Sequence, residues 1–590
     1  MSQAHEFKDY LISPIPPDLL VSCSKTSSCQ FYSARYYKIT AMRARDFEAL
    51  GATRFDVLVI GGGIHGLATA LDASARGLKV ALAEAGDFAA ATSFNHQRTA
   101  HGGLRSLQAG RLGHAREAIH ERRALARIAP RLLRPLPFII GTYRSVIKSR
   151  PALRAGFKLD SWLGRHRNDG IEPELHLPPA RLTSRAATLK LFPGVRQDGL
   201  TGGANWYDYQ IVHTSRLAIA FAEGCEARGA RLVNYAEAVA ALKDGGRVAG
   251  MRLRDTLTGA EIDVRARMTI NAAGAGAGEI MKMFGVTRDL PLAKAMNLVT
   301  SKRASDIALA APSPKGYMLT LTPWHGRALV GTWQSDTLAT PADLGPTAAE
   351  VEGFIADANA AFPALKLTRA DVTLVHRGIV PAERSSRAAG ASRRSPGQGG
   401  VRFLSSPQIL DHGKDGAPGA MSVIGIKFTT ARAVGDRTAA AAAKSLGGST
   451  RRTDSATAIL PGAGIADHEA LAIETARAVH LELAPPIIRH LIDLYGDRAA
   501  AIVRVMAERS DWRMPLVPGR LTVGAEVIHA IRHEMAMTLA DIVIRRSELG
   551  AMEHPGADLV KAMAAIAAEE LGWDADRRDR EIAAVDAFYC

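Results

Sequence analysis

At 590 residues the chain is too long for one hydrophobic core, so two or three domains are expected. A composition of 47% hydrophobic and 23% charged residues with 54 glycines excludes a largely disordered or fibrous protein. The net charge of +15 admits an anionic membrane surface, an acidic ligand or nucleic acid as a partner, and much of it lies between Arg98 and Arg167, where Glu117, Glu121 and Asp160 are the only acids.

Four cysteines, Cys23, Cys29, Cys225 and Cys590, form no disulfide framework and no paired metal-ligand spacing beyond one loose C-x5-C, so a reducing compartment and no metal centre are expected. No apolar run is long enough to span a bilayer, and prolines at 14, 16 and 17 interrupt any signal-peptide core. The expected location is the cytoplasm, with peripheral contact to the inner face of a membrane left open.

Residues 1–50 lack a clear apolar period, and Met42 stands close before the first strand. They read as an N-terminal extension, either a disordered tail or a start-site artefact, set apart from the fold. The run Phe55-Asp-Val-Leu-Val-Ile60 is an apolar, β-branched strand candidate that stops at glycines, and residues 64–76 have helical composition. A second strand, Lys79-Val-Ala-Leu-Ala-Glu84, closes the unit within about thirty residues, the length of one βαβ crossover.

A helix is expected over 113–133, broken by Pro130, Pro135 and Pro137. Helix and strand candidates then alternate over 216–228, 231–239, 248–253 and 266–273, the pattern of an α/β domain. Between 296 and 332, short runs such as Tyr317-Met-Leu-Thr-Leu-Thr322 and Ala328-Leu-Val-Gly-Thr332 read as an antiparallel sheet. Residues 384–400 lack an apolar period and read as a mobile loop, and the Ala-, Leu- and Glu-rich segments from 467 onward read as a separate helical domain.

Gly61-Gly62-Gly63-Ile64-His65-Gly66 falls between the first strand and the first helix, the context that gives G-x-G-x-x-G its physical meaning. Gly61 permits the tight turn, Gly63 lets backbone approach a pyrophosphate, and Gly66 allows the helix to pack on the strand. The helix N-terminus then offers N–H groups and a partial positive charge to the phosphates. Glu84, with Ala85 after it, ends the second strand eighteen residues beyond Gly66, where a carboxylate can accept hydrogen bonds from a ribose diol. The fingerprint alone leaves FAD and NAD both open.

The stretch from Gly61 to Gly86, followed by Ala91-Thr92-Ser93 and His101-Gly102-Gly103-Leu104-Arg105, resembles the FAD-dependent glycerol-3-phosphate dehydrogenase family. Tyr207-Asp-x-Gln210, Asn271-Ala-Ala273-Gly274 and Ser422-Val-Ile-Gly425-Ile426-Lys427-Phe428-Thr429-Thr430 agree with it in order. So do Tyr495-Gly-Asp497, Arg532-His-Glu534, Asp541 and Arg545-Arg546 near the C-terminus. The resemblance implies an α/β Rossmann-type FAD-binding domain (51–145, 205–295 and 400–450), an antiparallel-sheet substrate domain like that of D-amino-acid oxidase (146–204 and 296–399), and a C-terminal helical domain (460–590).

It further implies that Thr92 and Ser93 approach the phosphates or flavin, although their hydroxyls could equally cap a helix. Gly274 would lie against the pyrophosphate, Gly425 to Thr429 would run past the flavin pyrimidine, and Gly102, Gly103, Leu104, Val239 and Ala273 would complete the cofactor contacts. His101 is implied as the general base for the substrate hydroxyl proton, a role suited to an imidazole, or it is a structural histidine. Arg105 would hold an anionic substrate by charge-assisted hydrogen bonds. Lys427 would stabilise charge on the reduced flavin or pair with a core carboxylate.

The substrate end departs from the family pattern. The arginine expected just before Pro381 is Val380, a second falls at Ser406, the tyrosine after Arg105 is Ser106, and an acidic pair is replaced by His213 and Thr214. A phosphomonoester carries nearly two negative charges and is poorly bound without paired cations, so an altered substrate is expected unless Arg377, Arg384 or Arg387 restores the charge. The leading expectation is an FAD-dependent dehydrogenase or oxidase acting on a small polar, anionic hydroxy substrate. The competing readings are an amine or amino-acid oxidase of the same fold and a non-catalytic FAD-binding scaffold.

Arginines from Arg111 to Arg154, interleaved with leucines and with Pro135-Leu-Pro-Phe-Ile-Ile140, read either as a face that docks on anionic lipid near quinone or as a solvated helix. No nucleic-acid partner is expected, because no basic module interleaved with aromatics is present.

Overall fold

Val57, Leu58, Val59 and Ile60 are buried on both faces of the strand Phe55–Ile60, as a continuous apolar run requires in the middle of a parallel sheet. That strand pairs in parallel with Val80–Ala83 on one side and Glu261–Asn271 on the other. Ala420–Ile424 and Arg231–Val233 extend the sheet in parallel, and Gln408–Asp411 closes one edge antiparallel to Ala420–Ile424. The helix Ile64–Ala75 covers one face, sharing a core with the helices Thr214–Ala227 and Ala431–Ser445. This is the expected Rossmann-type unit. The computed structural model describes residues 44–589 apart from 105, 106, 108, 109, 144–149, 385–399, 451, 465 and 466.

A second, ten-stranded sheet lies beyond it. Its pairings are antiparallel except for Ala308–Pro312 against Leu133–Tyr143. The strands Met318–Trp324 and Arg327–Gln334 stand close to their expected bounds. The sheet also recruits Leu133–Tyr143 and the short Thr99–Ala100 from segments read as belonging to the first domain, and the strand Leu200–Ile211 runs across the boundary read at 204/205.

Two expectations change here. Pro135 to Ile140 lies inside this sheet with Leu136, Phe138 and Ile139 buried, so it is core and cannot join a lipid-docking face. Residues 44–50, set apart with the extension, are part of the fold: Phe47 and Leu50 are buried, and Arg45 pairs with Asp255 at 3.0 Å. Isolated from its neighbours, that short segment has too few apolar residues to show a period. The tail reading of residues 1–43 and most of the loop read over 384–400 lie outside the described residues.

The C-terminal helices, from His468–Ala478 to Ala575–Ala587, pack on the second sheet through a core that joins Phe94, Val299, Trp324 and Leu374 to Val527, Leu539 and Ile542. Buried ion pairs tie the same helices to the first sheet's side of the molecule. Asp87, just past the second strand, accepts from Arg545 Nε at 2.6 Å and from both Nη atoms of Arg546 at 2.7 Å. Glu534 accepts from both Nη atoms of Arg216 at 2.7 and 2.6 Å.

Burial alone would raise the Asp87 pKa, but the Arg546 and Arg545 guanidiniums overcome it and hold the carboxyl at about 2. A depressed folded pKa contributes stability that is present above the unfolded value of about 3.9 and is lost as pH falls through the folded value. Asp87→Asn is therefore expected to lower stability by about 3 kcal/mol at pH 7, because two buried guanidiniums lose a shared counter-charge, Arg545 keeping Asp541 and Arg546 the more distant Glu534. Urea unfolding across a pH series checks this: the gap to wild type should narrow as pH drops from about 4 towards about 2.

Candidate active site

Gly61 has φ +106°, and a side chain there would meet the Ala272 carbonyl oxygen at 2.6 Å. A Cβ on Gly66 would collide with the Gly61 carbonyl oxygen, so the helix sits directly on the turn. Gly63 is the helix N-cap and supplies no side chain, while Ser93 Oγ accepts from the Ile64 N–H at 3.0 Å. The Ser93 hydroxyl thus caps the helix, the alternative weighed for it on sequence. Thr92 instead donates its hydroxyl to the Ile379 carbonyl at 3.2 Å, linking the loop to the second sheet.

The Glu84 carboxylate lies across the same turn. Oε2 accepts from the Gly62 N–H at 2.5 Å and Oε1 from the Gly86 N–H at 2.9 Å. Each oxygen keeps a second acceptor site, so both can still receive ribose hydroxyls. Burial raises the Glu84 pKa, and the backbone N–H groups of Gly86 and Gly62 act against it. Asn271 braces the end of its strand through Ser422 Oγ at 3.0 Å and the Ala277 carbonyl at 2.9 Å, and Gly274 follows with open space beside its α-carbon. Backbone turn, acid and open edge together suit an extended dinucleotide.

The loop carrying His101 is held from both sides. Its own N–H donates to Thr429 Oγ1 at 3.2 Å, and the Gly102 N–H donates to Asp208 Oδ1 at 2.6 Å. Asp208 is buried and also accepts from Arg122 Nη1 at 2.5 Å and Trp206 Nε1 at 3.0 Å. Burial raises the Asp208 pKa while Arg122 and the Gly102 N–H pull it down. Asp208 and Arg122 position this loop although neither was singled out on sequence as a site residue. The Tyr207-Asp-x-Gln210 motif was the available signal.

Gly425 to Thr429 follows the strand Ala420–Ile424 and brings Lys427 to the same end of the sheet as the glycine turn. The His65 ring packs on Gly425, and burial pushes its pKa down to about 4, which keeps the imidazole neutral. Phe428 stacks on His96, ring centroids 4.6 Å apart. Among the other expected residues, Gly103 has φ +77°, Leu104 and Ala273 are half-buried, Ala85 is exposed, and Val239 sits at a register break between Ala238 and Ala240. Arg105 and Ser106 lie outside the described residues.

At the substrate end expected to differ, Val380 is half-buried on a strand of the second sheet, and Ser406 Oγ meets His114 Nε2 at 3.3 Å. The Arg377 guanidinium lies 5.9 Å from the Phe588 ring of the C-terminal helices, and Arg384 is exposed, 3.7 Å from Asp289. Arg387 lies outside the described residues.

A Rossmann turn with a terminal acid, an antiparallel sheet beyond it and a histidine-bearing loop between define a flavin-dependent oxidoreductase. Residues 56–441 match the FAD dependent oxidoreductase family and residues 453–578 the C-terminal domain of alpha-glycerophosphate oxidase, and the chain belongs to that oxidoreductase family. Glycerol-3-phosphate dehydrogenase 2 of Mycobacterium bovis is 32% identical over 553 residues, covering 92% of this chain and 89% of the relative. Glycerol-3-phosphate dehydrogenase of Synechocystis sp. is 29% identical over 559 residues, 91% of this chain and 97% of the relative. The glycerol-3-phosphate dehydrogenase from Bacillus halodurans, solved in complex with FAD, superposes with a TM-score of 0.68 at 22% identity, covering 92% of this chain and 95% of that one. The chain is thus an FAD-dependent dehydrogenase resembling glycerol-3-phosphate dehydrogenase, as expected from its motifs.

Glu84→Gln keeps the shape and removes the charge of the ribose acceptor. FAD affinity is expected to fall by about 1.5–3 kcal/mol, roughly 10- to 150-fold in Kd, as read by fluorescence titration of the apoprotein.

Proposed function

We propose that this chain oxidises the hydroxyl-bearing carbon of a small anionic substrate whose acid group is less charged than a phosphomonoester, a hydroxy acid being the best fit. The carrying observation is the anion end: Val380 and Ser406 stand where guanidiniums are expected, while Arg377 and Arg384 lie against Phe588 and Asp289. Two missing arginine contacts weaken phosphate recognition by about 3–6 kcal/mol, taking each as about 1.5–3 kcal/mol. A carboxylate with one charge needs fewer cations, and Arg105 supplies one.

When bound, FAD supplies the hydride acceptor. His101 takes the proton from the substrate hydroxyl. Its backbone is fixed by Thr429 and its loop by the Asp208 and Arg122 pair, so the loop that carries the imidazole is held in place before substrate arrives. Lys427, on the loop that follows the strand Ala420–Ile424, would stabilise negative charge on the reduced flavin.

Anaerobic mixing with a panel of glycerol 3-phosphate, 2-hydroxy acids and amino acids, followed by flavin absorbance, tests this reading. Bleaching by a hydroxy acid is expected, with glycerol 3-phosphate saturating at a concentration at least about 100-fold higher. His101→Asn should retain FAD and bleach about 10²–10⁴-fold more slowly. Saturable bleaching by micromolar glycerol 3-phosphate, or by amino acids alone, would refute the hydroxy-acid assignment.

A second reading concerns the acceptor. We infer that the helix Arg150–Leu163 touches an anionic membrane and brings the enzyme to quinone. Leu159 and Trp162 are 36% and 61% exposed one helical turn apart, with Arg154, Lys158 and Arg165 exposed around them. No helix among the described residues is long and apolar enough to cross a membrane, which fits a peripheral contact. Other arginines of the segment are engaged internally: Arg122 with Asp208, Arg127 with the Asp169 carbonyl and Arg131 with the Gly462 carbonyl. Flotation with vesicles containing phosphatidylglycerol should carry the protein upward at low salt and much less at high salt, and Trp162→Ser should abolish it. Equal behaviour of that variant would remove the helix from the contact.

A further inference from the structure

Outside the flavin site, two histidines and a carboxylate meet where all three parts of the molecule touch. His213 immediately precedes the helix Thr214–Ala227, His325 forms the turn between Met318–Trp324 and Arg327–Gln334, and Glu548 follows the π-turn Asp541–Arg546 of the C-terminal region. One ligand-type atom from each lies within 4.8 Å of the others. We propose that His213, His325 and Glu548 bind one divalent transition-metal ion of zinc type, which clips the C-terminal helices to the substrate sheet.

The donor set is right for such an ion: two imidazole nitrogens and a carboxylate oxygen, with a fourth position left for water. Zinc bonds of about 2.0–2.2 Å put tetrahedral ligand atoms about 3.3 Å apart, so closure needs only a small movement. His213 Nδ1 and Glu548 Oε2 are already 2.7 Å apart. The remaining ligand, His325, sits on the hairpin turn with its ring centroid 5.4 Å from that of His213 and 5.2 Å from that of Trp324. Glu548 Oε1 accepts from the Ser215 N–H at 3.0 Å, which orients the carboxylate and leaves Oε2 as the metal-facing oxygen.

Both His325, φ +47°, and Glu548, φ +53°, occupy the left-handed region, a conformation kept by non-glycine residues only where the surroundings over-determine it. Arg98 is the opposing charge nearby. Its guanidinium carbon lies 4.8 Å from the Phe94 ring and 4.4 Å from the Trp324 ring, and its repulsion sets the expected affinity in the micromolar rather than the nanomolar range.

The test is calorimetric titration of EDTA-treated, FAD-loaded protein with zinc chloride. One ion per chain with a micromolar Kd is expected, together with a rise in melting temperature of at least about 2 °C at saturating zinc. His325→Asn tolerates the left-handed backbone and removes a ligand. It should keep the flavin spectrum and the metal-free melting temperature while weakening zinc at least about 10-fold. No stoichiometric binding, or binding unchanged in His325→Asn, would overturn the proposal, the latter by placing the ion on other groups such as Cys23 and Cys29.

Discussion

Between the strand Phe55–Ile60 and the helix that follows it, backbone meets backbone with no side chain in the way. Gly66 rests on the Gly61 carbonyl, Gly61 on Ala272, and the Gly62 N–H on Glu84. Close approach of this kind is what lets a diphosphate lie on helix N–H groups, and it works only if the neighbouring strands end at the same level. Parallel pairing with Val80–Ala83 and Glu261–Asn271 provides that level, bringing Glu84, Asn271 and Gly274 to one edge. The Lys427 loop follows from the strand Ala420–Ile424, which pairs with Glu261–Asn271 in the same direction.

The loop that carries His101 depends on a different kind of bond. Asp208 is a buried acid on the long strand Leu200–Ile211, satisfied at once by the Gly102 N–H, Arg122 and Trp206. A buried carboxylate with its acceptor sites taken is a rigid anchor, since breaking any one bond leaves charge unpaired in a dry setting. Asp87 with Arg545 and Arg546 does the same for the C-terminal helices. Buried acids thus join the cofactor sheet, the substrate sheet and the helical region, alongside the apolar core that the C-terminal helices share with the second sheet.

Against this frame, the proposed change at the anion end rests on single positions and not on the fold. Val380 and Ser406 keep their places on or beside the second sheet, and Ser406 has found His114 as a neighbour. Specificity can change so cheaply because the sheet's geometry comes from its backbone ladder, whereas recognition comes from side chains projecting from it.

Much of this was legible in the chain itself. The βαβ unit, the glycine turn, Glu84 and the helical C-terminus follow from local period and glycine placement, because a strand, a tight turn and a helix are specified within thirty residues of one another. The strands Met318–Trp324 and Arg327–Gln334 were read nearly to their ends for the same reason. Tertiary structure alone decided that Leu133–Tyr143 and Leu200–Ile211 belong to the substrate sheet, that Asp208 anchors Gly102, that Pro135 to Ile140 is core, and that His213, His325 and Glu548 converge. Their partners lie far apart in sequence, and no local pattern records which distant backbone or side chain will satisfy a buried strand, an acid or an imidazole once the chain has folded.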